Sequence, residues 1–365
     1  MRRHSANSGQ AATETENGRV TIKSVARRAG VSIGTVSRVI NGFTDVNAEL
    51  RTRVEKAVRE LDYRPNLRAQ SFVRDKSPII SFLLSNRGGL NPFHSLILQG
   101  VEDYCANHGY FVLFARCQYA PGTRPSELRL PTVLLTNGLA DCVIAAGVNH
   151  ENLLKMMDQR DLRYVVLANN LVTQEPREPL NQVRFDDAGG YSEATRYLIQ
   201  LGHRDIWFVG DTSLQWFRNR YEAYVQVMHE NNLEPRAQTV ALSDDLFENG
   251  RASVDMILER EAPLSAVLSC AGESAEGAME ALREHGREVP RDASVIGFDY
   301  MIVRSGLWKL TSVSVDAVEV GRQLGRLAIE RLTSNGKPLS EAVVPTTLIK
   351  RGTCRPFRSN EQMVL

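Results

Sequence analysis

The chain has 365 residues, 42% of them apolar and 24% charged, with 26 Gly and 14 Pro. That length predicts two or three domains with a sizeable core, and the composition excludes fibrous and wholly disordered classes. No run approaches the ~18 consecutive apolar residues of a membrane span, and the start MRRHSANSGQAATETENG lacks the apolar stretch of a secretion signal. Cys105, Cys117, Cys142, Cys270 and Cys354 are odd in number, widely spaced and without a C-x-x-C pair. Such usage fits reduced thiols in a cytoplasmic protein, not a disulfide framework or a zinc site. The net charge of +1 hides an asymmetry: residues 1–76 hold 15 Lys and Arg against 8 Asp and Glu, a net of +7, and residues 77–365 carry −6. A basic module on an acidic body points to polyanion binding.

Residues 1–19 are polar and aperiodic and read as a mobile arm. From Thr21 the pattern changes. Ile22, Val25, Ala26 and Ala29 recur at helical spacing, with Thr21 placed to cap the helix and Gly30 to end it. Ser32 is placed to cap a second helix whose inward face is Val36, Val39 and Ile40, stopping near Asn41-Gly42. A third helix carries Leu50, Val54, Ala57, Val58 and Leu61 on one face and ends before Tyr63-Arg64-Pro65. Two short helices around a glycine turn, braced by a third, predict a helix-turn-helix over residues 20–64. The outward residues of the second helix, Ile33, Gly34, Thr35, Ser37 and Arg38, are short or hydrogen-bonding, with Ile33 the apolar exception. Gly30-Val31-Ser32-Ile33-Gly34 also matches the G-x-S-x-G elbow of α/β-hydrolases. That elbow needs a preceding buried strand, whereas IKSVARRA has helical spacing and three basic residues, so Ser32 reads as a cap that donates to phosphate.

The segment TIKSVARRAGVSIGTVSRVINGFTDVNAELRTRVEKAVRELDYRPNLRAQSF resembles the DNA-binding headpiece of the LacI/GalR transcriptional regulators. VARRAGVS, TVSRVIN, RTRVEKA and LDYRPN followed by AQSF carry the likeness. The resemblance implies a recognition helix in the major groove, with Ile33, Gly34 and Arg38 at base-reading positions. Thr21, Ser32, Thr35, Ser37 and Asn41 then match phosphate contacts. Residues 65–77 form a hinge and linker, where Asn66 can cap a helix to about Val73 that is too short to stand alone. In the family this hinge enters the minor groove, which assigns Asn66, Ala69, Gln70 and Phe72 to DNA. Phe72 stands where a leucine wedge is usual, and an aromatic wedge between base steps is physically sensible.

Beyond Ser77 the chain alternates strand-like and helix-like segments. PIISFLLS, YFVLFARC, DCVIAAG, YVVLANN, IWFVG, SAVLSC and ASVIGFD read as buried strands. FHSLILQGVEDYCANHG, SEATRYLIQLGH, AYVQVMHENN and AEGAMEALREHG read as helices between them. This order predicts parallel sheets, and helix-Gly-strand recurring on both sides of the middle predicts two similar lobes with a cleft between. No dinucleotide, nucleotide or metal motif is present, so no cofactor or metal is expected.

The resemblance continues to about residue 357 and implies a periplasmic-binding-protein-like effector domain over 78–357, with 358–365 a tail. The overall expectation is an α/β chain: an all-α headpiece plus a two-lobed domain with parallel sheets. By position Asp299 and Arg220 match ligand contacts, Asn91 and Phe93 the first-lobe cleft motif, and Asn169 a further contact. A carboxylate with a guanidinium suits vicinal hydroxyls, so the effector expected is a sugar or sugar derivative. The chain departs from the family at Ala271-Gly272, where Asn-Asp is usual, at Val315, and at Tyr300. These changes make Glu273, Trp216 and Tyr300 candidate contacts. The expected function is a cytoplasmic homodimeric repressor that binds an inverted-repeat operator in double-stranded DNA under effector control, without membrane contact or enzymatic activity. The rivals are a ligand-blind regulator with a degenerate pocket and an α/β enzyme with an appended DNA-binding domain.

Overall fold

A computed structural model of the chain describes residues 20–40, 43, 45–64, 79–136, 139–173, 180–240, 245–300, 309–334 and 337–357. These form two compact units that part between Ser77 and Pro78.

In the first unit α1 (Ile22–Ala29), α2 (Ile33–Ile40) and α3 (Ala48–Glu60) enclose a small core of Val25, Ala26, Ala29, Val36, Val39, Val54 and Ala57. Each helix N-terminus is satisfied locally. Thr21 and Ser24 form a reciprocal capping box, Thr35 N donates to Ser32 Oγ at 3.0 Å, and Glu49 N donates to Asn47 Oδ1 at 2.8 Å. Gly30 ends α1 at φ 66°, a left-handed conformation that costs an L side chain but not glycine. Arg53 of α3 donates to Ala29 O at 2.7 Å and Gly30 O at 3.2 Å, so the third helix holds the turn from outside the apolar core. Ile40, Leu50, Val58 and Leu61, expected inside, are half-buried at the rim.

The second unit contains two six-stranded sheets. The first has order β13-β7-β5-β3-β1-β2, with β1 Ile79–Ser85, β2 Phe111–Cys117, β3 Cys142–Ala145, β5 Tyr164–Leu167, β7 Gln182–Phe185 and β13 Ala342–Val344. The second has order β14-β12-β11-β10-β8-β9, with β8 Ile206–Val209, β9 Arg236–Gln238, β10 Ala266–Ser269, β11 Ser294–Asp299, β12 Thr311–Val315 and β14 Thr346–Ile349. A short parallel pair, β4 (Asn149–His150) and β6 (Leu171–Val172), lies apart. The pairings within the two sheets are parallel except β12 with β14, which is antiparallel and departs from the expected all-parallel order.

The chain passes from one lobe to the other around Asp186, Asp316 and Pro345. Helix α4 (Pro92–Asn107) of the first lobe packs against α11 (Ala317–Thr333), a helix that the sequence reading does not single out. They approach so closely at Gly100 and Gly321 that a Cβ on either would overlap the facing backbone carbonyl, of Val318 or Ile97. Helices α5 (Thr132–Leu135) and α6 (Glu151–Gln159) belong to the first lobe, and α7 (Asp187–Gln200), α8 (Gln215–Glu230), α9 (Leu246–Glu259) and α10 (Gly272–Glu284) to the second. Among the described residues no helix is long and apolar enough to cross a membrane, and no cluster of metal-binding side chains occurs.

Candidate functional site

On the headpiece, α2 buries Val36 and Val39 and turns Ser32, Ile33, Gly34 and Arg38 outward, with Thr35 and Ser37 half-buried beside them. Ile33 is 46% exposed, the one large apolar residue on that face of the helix, and Phe43 just beyond it is 45% exposed. The Arg38 guanidinium lies over the Phe43 ring, 5.1 Å from its centroid, and forms an ion pair with Asp45. Sequence reasoning missed Asp45: a carboxylate in a loop has no periodic signature tying it to an arginine seven positions earlier. Thr21 is committed to its capping box. Asn41, Asn66, Ala69, Gln70 and Phe72 lie outside the described residues.

In the second unit a cavity of about 820 Å³ opens between the lobes. The first lobe contributes Arg87, Asn91, Phe93, His94, Asn170 and Phe185. The second contributes Asp211, Trp216, Phe217, Arg220, Asn249, Ala271, Gly272, Glu273, Phe298 and Tyr300. Aromatic contacts cross it: Phe93 lies 5.8 Å from Tyr300 and Phe185 5.8 Å from Phe298, centroid to centroid.

Arg220 is only 4% exposed and is held from three sides. Its Nε donates to Asp187 Oδ1 at 3.1 Å, its Nη2 lies 3.1 Å from the same oxygen, and its Nη1 donates to Cys270 O. The Phe298 ring lies 3.7 Å from the guanidinium carbon. Burial taken alone lowers the Arg220 pKa, but the Asp187 carboxylate reverses this, so the guanidinium is raised and stays charged. Asp187 in turn accepts from Asn169 Nδ2 at 2.8 Å, and Asn169 Oδ1 accepts from Phe185 N at 2.8 Å. The partner of Arg220 is thus Asp187, at the start of α7, rather than Asp299. Asn169 braces this pair and lines a neighbouring cavity of about 400 Å³ instead of the interlobe one. Its neighbour Asn170 lines the interlobe cavity. Asp299, at the end of β11, accepts from Tyr300 N at 2.7 Å and lines a cavity of about 220 Å³ with Glu273, Tyr300 and Arg351.

On the first-lobe side, Asn91 caps α4 by accepting from His94 N at 2.9 Å. The same oxygen lies 2.7 Å from His94 Nδ1, which must therefore carry the proton and leave Nε2 to accept from Asn170 Nδ2 at 3.4 Å. Burial, reinforced by Arg87, lowers His94 to about 4, so the ring is neutral at physiological pH. His94, Asn170 and Asp187 were not found from sequence, because nothing in their local patterning separates them from ordinary helix-start residues.

A helix-turn-helix on a basic segment, together with a two-lobed body holding a polar cavity between its lobes, defines a ligand-responsive DNA-binding regulator. Comparison with known proteins makes the assignment specific. Residues 21–66 match the family described as "Bacterial regulatory proteins, lacI family", and residues 195–354 match "Periplasmic binding protein-like domain". HTH-type transcriptional regulator RegA of Clostridium saccharobutylicum is 30% identical over 91% of this chain and 98% of its own length. The transcriptional repressor CytR of Escherichia coli strain K12 is 29% identical over 92% of this chain and 96% of its own. The solved lac repressor dimer bound to operator and an anti-inducer superposes with TM-score 0.73 at 24% identity, covering 92% of this chain and 99% of that one. The regulator CelR in complex with cellobiose gives TM-score 0.65 at 27% identity, over 92% of this chain and 100% of that one. The chain belongs to the LacI family of bacterial transcriptional regulators.

Proposed function

We propose that the chain is a cytoplasmic, non-enzymatic repressor that acts as a homodimer on an inverted-repeat operator and is controlled by a sugar or sugar derivative held between its lobes. The carrying observation is the buried Arg220, fixed by Asp187 and Cys270 O at the wall of the interlobe cavity. A guanidinium already ion-paired presents its remaining N–H groups as oriented neutral-ligand donors, not as an open anion site. Glu273 and Asp211 supply acceptors on the same wall, Asn91 a further polar group, and Phe93, Trp216 and Tyr300 apolar faces. That mixture suits a polyhydroxylated ring. The CelR–cellobiose complex among the structural relatives supports the same ligand class.

On the DNA side, Ile33, Gly34 and Arg38 read bases in the major groove, while Thr21, Ser32, Thr35, Ser37 and Asn41 contact phosphates. Asn66, Ala69, Gln70 and Phe72 form the minor-groove contact that the family resemblance assigns. The direct experiment combines selection of bound fragments from random DNA with light scattering. The expected result is an inverted repeat bound by two chains. A non-palindromic site bound by one chain would refute the homodimer.

A further inference from the structure

We propose that the ligand site continues past the Arg220 cavity into a second chamber, and that the ligand is a glycoside of at least two sugar rings whose second ring lodges there. This rests on the reading of the effector as a sugar. A cavity of about 1080 Å³ adjoins the first and shares Asn86, Leu214 and Trp216 with it, so the two form one trough. The Arg87 guanidinium lies 5.4 Å from the Trp216 ring centroid, and this cross-lobe stack marks the saddle between the chambers.

The first-lobe wall of the second chamber is built independently of any ligand. Asn86 follows directly on β1 in the left-handed region, at φ 52°, where its side chain reaches both ways. Its Nδ2 donates to Val148 O at 3.1 Å and its Oδ1 accepts from Tyr119 N at 2.9 Å. The Tyr119 hydroxyl accepts from His150 N at 3.1 Å, and the two rings meet edge to face at 6.1 Å. Three chain segments are thereby fixed around one aromatic corner. Opposite stand Ser213, Gln215 and Arg218 of the second lobe. The Arg218 guanidinium is directed to Thr212 O and Ser213 O, at 3.0 and 3.3 Å.

The chemistry of the two chambers differs. The first holds Arg220, Glu273 and Asp211, whereas no carboxylate is among the described residues lining the second. The second offers aromatic surfaces at Tyr119, His150 and Trp216, with the neutral amides of Asn86, Gln118 and Gln215 and the hydroxyls of Ser213 and Thr173. Apolar ring faces meet aromatics while equatorial hydroxyls exchange hydrogen bonds with amides, so this set fits an uncharged pyranose or furanose. Both chambers take walls from both lobes, so a ligand spanning them would engage the two lobes twice.

Calorimetric titration of the full chain with matched pairs (glucose with cellobiose and maltose, galactose with lactose, xylose with xylobiose) tests the assignment. In whichever series binds, the disaccharide should bind at least tenfold tighter than its monosaccharide. Gln118→Ala should cut that advantage below threefold. Gln118→Trp, which fills the chamber from an exposed position, should abolish it. Neither variant should change the monosaccharide Kd. Equal affinity for one and two rings, or equal weakening of both by the Gln118 variants, would overturn the extension and leave the sugar reading standing. Binding by none of these sugars would overturn both.

Discussion

Arg38 shows how one side chain joins fold to function. Its ion pair with Asp45 is half-exposed on both sides and contributes little to stability. What the pair and the Phe43 ring do is hold the guanidinium off the surface of α2 in a defined place. A guanine edge offers two acceptors to such a fork, so Arg38→Ala should cost roughly 1–3 kcal/mol on the operator and relax preference at one base per half-site. Ser37→Ala should instead weaken all sequences about equally. Anisotropy titrations on operator and scrambled duplexes would separate the two, and an equal loss on both duplexes for Arg38→Ala would contradict base reading. Buried histidines give a second expectation. Burial lowers both His94 and His203 from 6.5 to about 4. The unfolded chain therefore takes up these protons first, and the stability present above pH 6.5 is lost as the pH falls toward 4. Each ring accounts for on the order of 3 kcal/mol over that window. The thermal midpoint should drop steeply below pH 6.5, and His203→Gln should make the drop shallower. An unchanged slope would remove His203 from the account.

At the scale of elements, what the sequence disclosed depended on how each segment is buried. The three headpiece helices carried apolar residues at helical spacing with recognisable caps, and Thr21, Gly30 and Ser32 take the capping positions that their chemistry predicts. Strands β1, β8, β10 and β11 are short apolar runs buried on both faces, which parallel sheets produce. β12 escaped because Ser312 and Ser314, both fully buried, interrupt its apolar run and imitate a loop. β13 and β14 are short edge strands without a strong pattern. Helix α11 has a weak signature in the sequence because Gly321 and Gly325 lower its helical character, yet those glycines are what lets α4 approach. A side chain at Gly100 would meet the Val318 carbonyl, which cannot swing aside as a side-chain tip could. Gly100→Leu should therefore destabilise the chain by about 1–3 kcal/mol or more, read as a lower urea midpoint. Surface substitution at Gln99 on the same helix should leave the midpoint unchanged. A neutral Gly100→Leu would mean that the two helices do not cross this closely.

For the whole molecule, the cavity could be placed between two lobes from chain order, but its charged partners could not be paired. The family resemblance joins Arg220 and Asp299 as ligand contacts, whereas the fold brings Asp187 to Arg220 from 33 residues away and leaves Asp299 on a smaller adjoining cavity. Such pairing depends on how α7 and α8 pack side by side within the second lobe, and periodicity carries no information about that. The central claim is that a ligand bound at this cavity sets DNA affinity. Coupling of this kind is limited by the ligand's differential affinity for two states, typically 1–3 kcal/mol, or roughly 5- to 150-fold. The decisive measurement is operator affinity with and without a saturating sugar, for the native chain and for Glu273→Ala and Arg220→Lys. The native chain should shift at least fivefold, both variants should lose that shift, and ligand-free operator affinity should stay within twofold of native. A shift that survives in the variants would place the effector elsewhere, and no shift with any sugar that binds would make the chain a ligand-blind regulator.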